Sequence, residues 1–110
     1  MNAVVLRVYL HESRRHHGML LYDWLLEQAR RQLHIHGGSA FRAVAGYGRH
    51  GVLHEQHFFE LEGELPVAVE FVVTETEADQ LLALIRAERL DVLYTRWAAE
   101  FGTTGVANRP

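Results

Sequence analysis

The chain of 110 residues contains no cysteine. That absence removes a disulfide framework, a thiol nucleophile and a thiolate-bound metal, and it is compatible with a reducing compartment. Proline occurs only twice and glycine nine times, too few for a collagen-like or low-complexity chain. No apolar stretch approaches the roughly 18 residues of a membrane span, and Arg7 and Glu12 interrupt any N-terminal signal core. Neither sign of charge is in large excess, since eleven Lys and Arg stand against fourteen Asp and Glu for a net charge of −3. A general binder of the phosphate backbone needs a concentrated basic excess, so nucleic acid is not expected as a partner. The expectation is a soluble cytoplasmic protein without direct membrane insertion.

What the chain does have is the composition of a folded globule, 48% hydrophobic and 23% charged. Its length suits one domain, expected over 1–101, with 102–110 as a flexible tail. Histidine is the compositional oddity. Protonating all eight would carry the net charge from −3 to +5, a swing centred near about pH 6.

Ala3 to Leu10 (AVVLRVYL) is rich in β-branched and aromatic residues and reads as a strand. A polar loop, HESRRHHG, follows. Met19 to His34 then carries Leu21, Leu25, Ala29 and Leu33 at four-residue spacing, which predicts a helix stopped by Gly37-Gly38. Within it Glu27 and Arg31 lie one turn apart in the favourable order, and Asp23 and Arg30 suit the two ends of the dipole. Ala40 to Ala45 reads as a short strand, and Pro66 to Val73 (PVAVEFVV) as the clearest one. Thr74 and Glu77 offer a capping box ahead of a second helix with Ala78, Leu81, Leu82 and Ile85 on one side. A last strand is expected over Asp91 to Glu100.

Strand, helix, strand, strand, helix, strand is the α+β, ferredoxin-like βαββαβ order. It gives a four-stranded antiparallel sheet with both helices on one face. The other face of such a sheet should be polar. Here Val4, Leu6 and Val8 alternate with Val5 and Tyr9, and Val67, Val69, Phe71 and Val73 alternate with Ala68 and Val72. A face that ought to be wet is largely apolar. In so short a chain the expected cover is another copy of itself.

Gly46-Tyr47-Gly48-Arg49-His50-Gly51 matches G-x-G-x-x-G in form only. The dinucleotide fingerprint opens a helix inside an early βαβ unit, whereas this run comes late and closes a strand. Two readings stay open: a strand end that needs positive φ at a glycine, and a turn whose N–H groups approach an anion beside Arg49.

GYGRH at 46–50, a long connection, then LPVAVEFVV resembles the PII signalling proteins. In those proteins a Gly-aromatic-Gly-Arg turn ends the second strand, a mobile loop follows, and Leu-Pro opens the third strand. The likeness runs along almost the whole chain through Arg15-His16-His17-Gly18, Leu21-Tyr22, Ala29-Arg30, Gly37-Gly38, Arg42 and Leu65-Pro66. The pattern is similar to the PII-like domain-of-unknown-function family 190. The resemblance implies a homotrimer with ligand clefts between subunits. It also implies a possible adenine nucleotide as cofactor and the 49–65 loop gripping a transporter or enzyme. Carried over residue by residue, Gly46, Gly48, Arg49 and His50 are the ligand-binding candidates, and His54, Glu55 and His57 belong to the effector loop. Three departures are visible. His50 replaces a usual glutamine, no tyrosine lies between Gly48 and Pro66, and Arg86 to Val92 (RAERLDV) lacks the basic, glycine-rich, phosphate-holding character of that family's last loop.

The histidines fall into three local groups: His16-His17, His34-x-His36, and His50, His54 and His57. Two imidazoles hold zinc or copper only if they converge, and stable sites take three or four ligands. The first two groups read as solvated loop and helix-end residues. The third carries the metal candidates, because trimer symmetry would multiply its ligands. That gives the alternative function, a divalent-metal-responsive trimer; a structural interaction module is another. Phe58-Phe59 reads as core. Catalysis is not expected: Ser13, Ser39 and the histidines show no nucleophile-elbow context, and no paired carboxylates stand in a glycine-lined pocket.

Overall fold

The computed structural model describes residues 2–46 and 65–105. The elements run β1 (Asn2–His11), β2 (Arg15–His16), β3 (Met19–Leu20), α1 (Leu21–Arg31), β4 (Ser39–Arg42), β5 (Pro66–Val73), α2 (Glu75–Ala87) and β6 (Leu93–Glu100). The main sheet has the order β4-β5-β1-β6, with every pair antiparallel. Leu6 lies opposite Phe71 and Arg96, and Val8 lies opposite Val69 and Tyr94. This is the ferredoxin-like arrangement that the alternating strands predict.

Period two along β1 and β5 decides which side chains meet the helices. Val4, Leu6, Val8 and Leu10 face α1 and α2, together with Val67, Val69, Phe71 and Val73. From the helices come Leu21, Trp24, Leu25 and Ala29 of α1 and Ala78, Leu81, Leu82 and Ile85 of α2. Full burial of one such side chain contributes about 1.5–3 kcal/mol, so this single layer carries the fold. No polar or charged residue is buried among those described.

The ends of the helices follow local chemistry. Thr74 and Glu77 close the full capping box on α2, the Glu77 N–H donating to the Thr74 hydroxyl at 3.1 Å and the Thr74 N–H to the Glu77 carboxylate at 2.9 Å. Glu27 accepts from Arg30 and forms an ion pair with Arg31 on the last turns of α1. Helix α1 is shorter than the four-residue spacing predicts. Met19 and Leu20 instead pair back with Arg15 and His16 in a two-residue ladder. At the other end His34 turns left-handed at φ 55°, the Ile35 N–H reaches the Ala29 carbonyl, and Ile35 becomes part of the core. The helix therefore stops ahead of Gly37-Gly38. Gly38 has a different duty: a Cβ there would lie 2.6 Å from the Phe71 ring and 2.9 Å from Leu26. Strand β6 starts at Leu93 rather than Asp91.

Candidate functional site

Among the described residues, two places bring chemistry-bearing side chains together. The first is the root of the long connection. The Glu12 N–H donates to the Leu65 carbonyl at 2.9 Å, the Ala43 N–H donates to Pro66 at 2.8 Å, and the Arg42 guanidinium pairs with the Glu12 carboxylate. These bonds hold together the ends of β1, β4 and β5 where the connection leaves and returns. Beside them, on the sheet face away from the helices, Tyr9, Phe41, Arg42, Gly46, Pro66 and Ala68 line a shallow depression of about 300 Å³. Gly46 is not in the left-handed region, since Gly18 is the one glycine with positive φ among the described residues. A Cβ at Gly46 would meet only Pro66, at an ordinary 3.8 Å. Among the described residues, then, neither backbone strain nor crowding requires glycine at 46.

The same face carries Phe41, Val72 and Trp97, each 41–53% exposed, around an Arg7–Glu70 ion pair. Arg7 Nε donates to Glu70 Oε1 at 3.1 Å, and the guanidinium lies over the Trp97 ring at 5.4 Å. The Glu70 carboxylate raises the Arg7 pKa further, so the charge is fixed at all working pH. Tyr9 and Thr95 meet through their hydroxyls at 3.3 Å. A second depression, about 370 Å³, lies between Gly38, Ser39, Glu70, Val72 and Phe101.

The second place is the turn after α2. Residues 85–90 form a Schellman close, with the Leu90 N–H bonding the Ile85 carbonyl, the Arg89 N–H bonding the Arg86 carbonyl, and Arg89 left-handed at φ 57°. This close presents Glu88 to the β2–β3 hairpin, where His16 Nε2 and His17 Nε2 each lie 2.8 Å from Glu88 Oε1. Hydrogen bonds from His16 first and His17 second hold the Glu88 carboxyl below the usual carboxylate range. The 86–92 segment thus supplies an anion of its own where the PII resemblance expects a loop that holds phosphate. The histidine pair, read as solvated from the sequence, converges on a carboxylate 71 and 72 positions away. His34 and His36 join no such cluster among the described residues.

Of the ligand-binding candidates, Gly46 alone is described, at the mouth of the 300 Å³ depression. Gly48, Arg49, His50, His54, Glu55 and His57, the Phe58-Phe59 pair and residues 106–110 lie outside the described residues. No helix among those described is long and apolar enough to cross a membrane.

The sequence pattern of the family DUF190, described as "Uncharacterized ACR", matches residues 3–101. The chain belongs to that family. A UPF0166 protein of Aquifex aeolicus is 32% identical to it over 98 residues, covering 82% of this chain and 92% of that protein. A second UPF0166 protein, from Methanocaldococcus jannaschii, is 32% identical over 82 residues and 74% of each chain. Among solved structures, the chain is similar in fold to CPII, a nitrogen regulatory PII-like protein of Thiomonas intermedia K12. That structure was determined with ADP, AMP and bicarbonate bound; the TM-score is 0.61 at 15% identity, covering 94% of this chain and 96% of that one. The fold is PII-like, as the glycine turn and Leu65-Pro66 imply.

Proposed function

We propose that this DUF190 protein is a PII-like regulator. It works as a homotrimer that takes a small anionic ligand, foremost an adenine nucleotide, in clefts between subunits, and it acts through the 49–65 connection on a partner transporter or enzyme. One observation carries the reading. The depression under Gly46 is an open, one-sided wall of about 300 Å³, set on an apolar sheet face that a second chain would complete. Contiguous exposed apolar surface of this kind marks an interface. No described residue crowds a Cβ at Gly46, so its bareness leaves room at the mouth of the depression for close approach by a ligand or another chain. The ADP and AMP bound to CPII support the ligand class, and the rim carries the Arg42 guanidinium, which would have to exchange Glu12 for a ligand anion to meet it.

The test is calorimetric titration of the assembled protein with ADP, AMP and ATP, with and without bicarbonate. The expected result is saturable binding by the wild type. Arg49→Ala should weaken it by about 1.5–3 kcal/mol, the range for a hydrogen bond to a charged group. Equal binding by mutant and wild type would assign Arg49 to solvent, and absence of binding at millimolar nucleotide would remove the proposed ligand.

A further inference from the structure

We propose that His16, His17 and Glu88 form a mononuclear binding site for a divalent transition-metal ion, zinc being the reference case. The donor atoms are already gathered. Both Nε2 atoms lie 2.8 Å from Glu88 Oε1, and the three ligand atoms fall within 4.8 Å of one another. Two imidazoles and a carboxylate, with no thiolate, are the donor set of zinc and its first-row neighbours rather than of calcium or magnesium.

Adjacent residues of an extended strand point to opposite sides, so two successive histidines do not ordinarily share a ligand. Here they do because the hairpin turns on His17-Gly18, with φ 50° and 79°. A two-residue turn with both φ values positive favours Asn-Gly or Gly-Gly, and a histidine at its first position is strained. Glu88 is delivered by a second left-handed residue, Arg89, at the position where a Schellman close favours glycine. Both backbones that aim the cluster therefore use conformations that their residues do not prefer. Trp24 steadies one ligand, its ring meeting His16 edge-on at 4.6 Å between centroids. The His16 side chain is 17% exposed and that of His17 63%, so the site has one anchored wall and an open side for entry and for a water ligand.

The geometry accepts an ion with little movement. Metal–ligand bonds of about 2.0–2.1 Å at tetrahedral angles place donor atoms about 3.3 Å apart. The present 2.8 Å contacts must open by roughly half an ångström, within reach of the exposed His17 ring and the Glu88 side chain. On binding, each imidazole coordinates through a deprotonated Nε2 as the neutral tautomer with its proton on Nδ1, any proton displaced from Nε2 passes to solvent, and the contacts to Glu88 Oε1 are replaced by bonds to the ion. The ion would tie the hairpin before α1 to the end of α2, in the segment where the family's phosphate-holding character is missing. Its three ligands are other residues than the histidines of the 49–65 connection, and it does not depend on nucleotide binding.

Isothermal titration with zinc chloride tests this on the full chain and three variants: His17→Asn, Glu88→Gln, and the double variant His54→Ala/His57→Ala. Asparagine tolerates the left-handed turn and glutamine preserves the shape of Glu88, so both variants should keep the wild-type circular dichroism. Wild type should bind one zinc ion per chain. His17→Asn and Glu88→Gln should each weaken that binding by more than the roughly 10–100-fold that loss of an outer-shell partner costs. The His54→Ala/His57→Ala variant should bind as wild type does. Absence of zinc binding by the wild type would leave the cluster as a hydrogen-bonded clasp and overturn the proposal. Binding that survives His17→Asn and is lost in the His54→Ala/His57→Ala variant would overturn it equally, by moving the metal to the connection. If Glu88→Gln is unfolded by circular dichroism, His17→Asn decides the matter.

Discussion

On β1, Val4, Leu6, Val8 and Leu10 lie under the two helices, while Val5, Arg7 and Tyr9 between them point to the opposite face. The helix-covered face is closed by the chain itself: Leu6, Val8, Val69 and Phe71 are at most 1% exposed, with no polar group among them. The opposite face is built from the same strands and is nearly as apolar at Val5, Ala68, Val72 and Trp97, yet it leaves Val72 and Trp97 more than 40% exposed around a charged pair. The first face explains why the chain folds. The second is an apolar surface that no described residue covers, and the homotrimer proposed above would bury it.

That contrast can be broken at two adjacent residues. Phe71 points into the covered face and Val72 into the open one. Phe71→Ala should cost about 3–5 kcal/mol of unfolding free energy, read from a denaturant midpoint. Val72→Asp should leave the monomer fold intact by circular dichroism but lower the mass in solution, because it would place an unpaired charge in the proposed interface. A subunit that loses its fold on Val72→Asp would mean that the two faces are one core.

A smaller effect separates the strands from the helix caps. Thr74→Ala removes the hydroxyl that accepts the Glu77 N–H and should cost about 1 kcal/mol. The same substitution at Thr95, whose hydroxyl contact with Tyr9 is exposed, should stay within about 0.5 kcal/mol. Both are read in the same denaturation series.

The smallest effect belongs to Glu88. His16 and His17 lower its pKa from 4.5, so its contribution is present above that value and is lost as pH falls through the lower folded value. Wild type should therefore lose stability relative to Glu88→Gln as pH falls below about 4.5. Parallel curves for the two proteins through that window would place the carboxylate outside the folding balance.

Much of this architecture was legible because it rests on periodicity. Alternation in AVVLRVYL and PVAVEFVV gives both the strands and their two apolar faces, and Thr74 with Glu77 announces α2 before any packing is known. What was not legible depends on contacts between distant residues or on single backbone angles. The pairs Arg15–Leu20 and His16–Met19 are too short to show a period. Helix α1 ends early because left-handed His34 lets Ile35 reach the core, a choice made by packing rather than propensity. The His16, His17 and Glu88 cluster needs two turns at opposite ends of the chain, and only the local signal His-His-Gly hinted at one of them. Gly38, which the pattern reads as a helix stop, is there to pass beneath Phe71.

The mass of the protein in solution decides most directly whether the open sheet face is covered by copies of the chain. Light scattering during size exclusion at micromolar concentration should give three times 12.6 kDa, the open sheet faces being covered by copies of the same chain. A stable, soluble monomer of 12.6 kDa would contradict it, leaving the exposed Phe41, Val72 and Trp97 without a cover and the depression at Gly46 without its second wall.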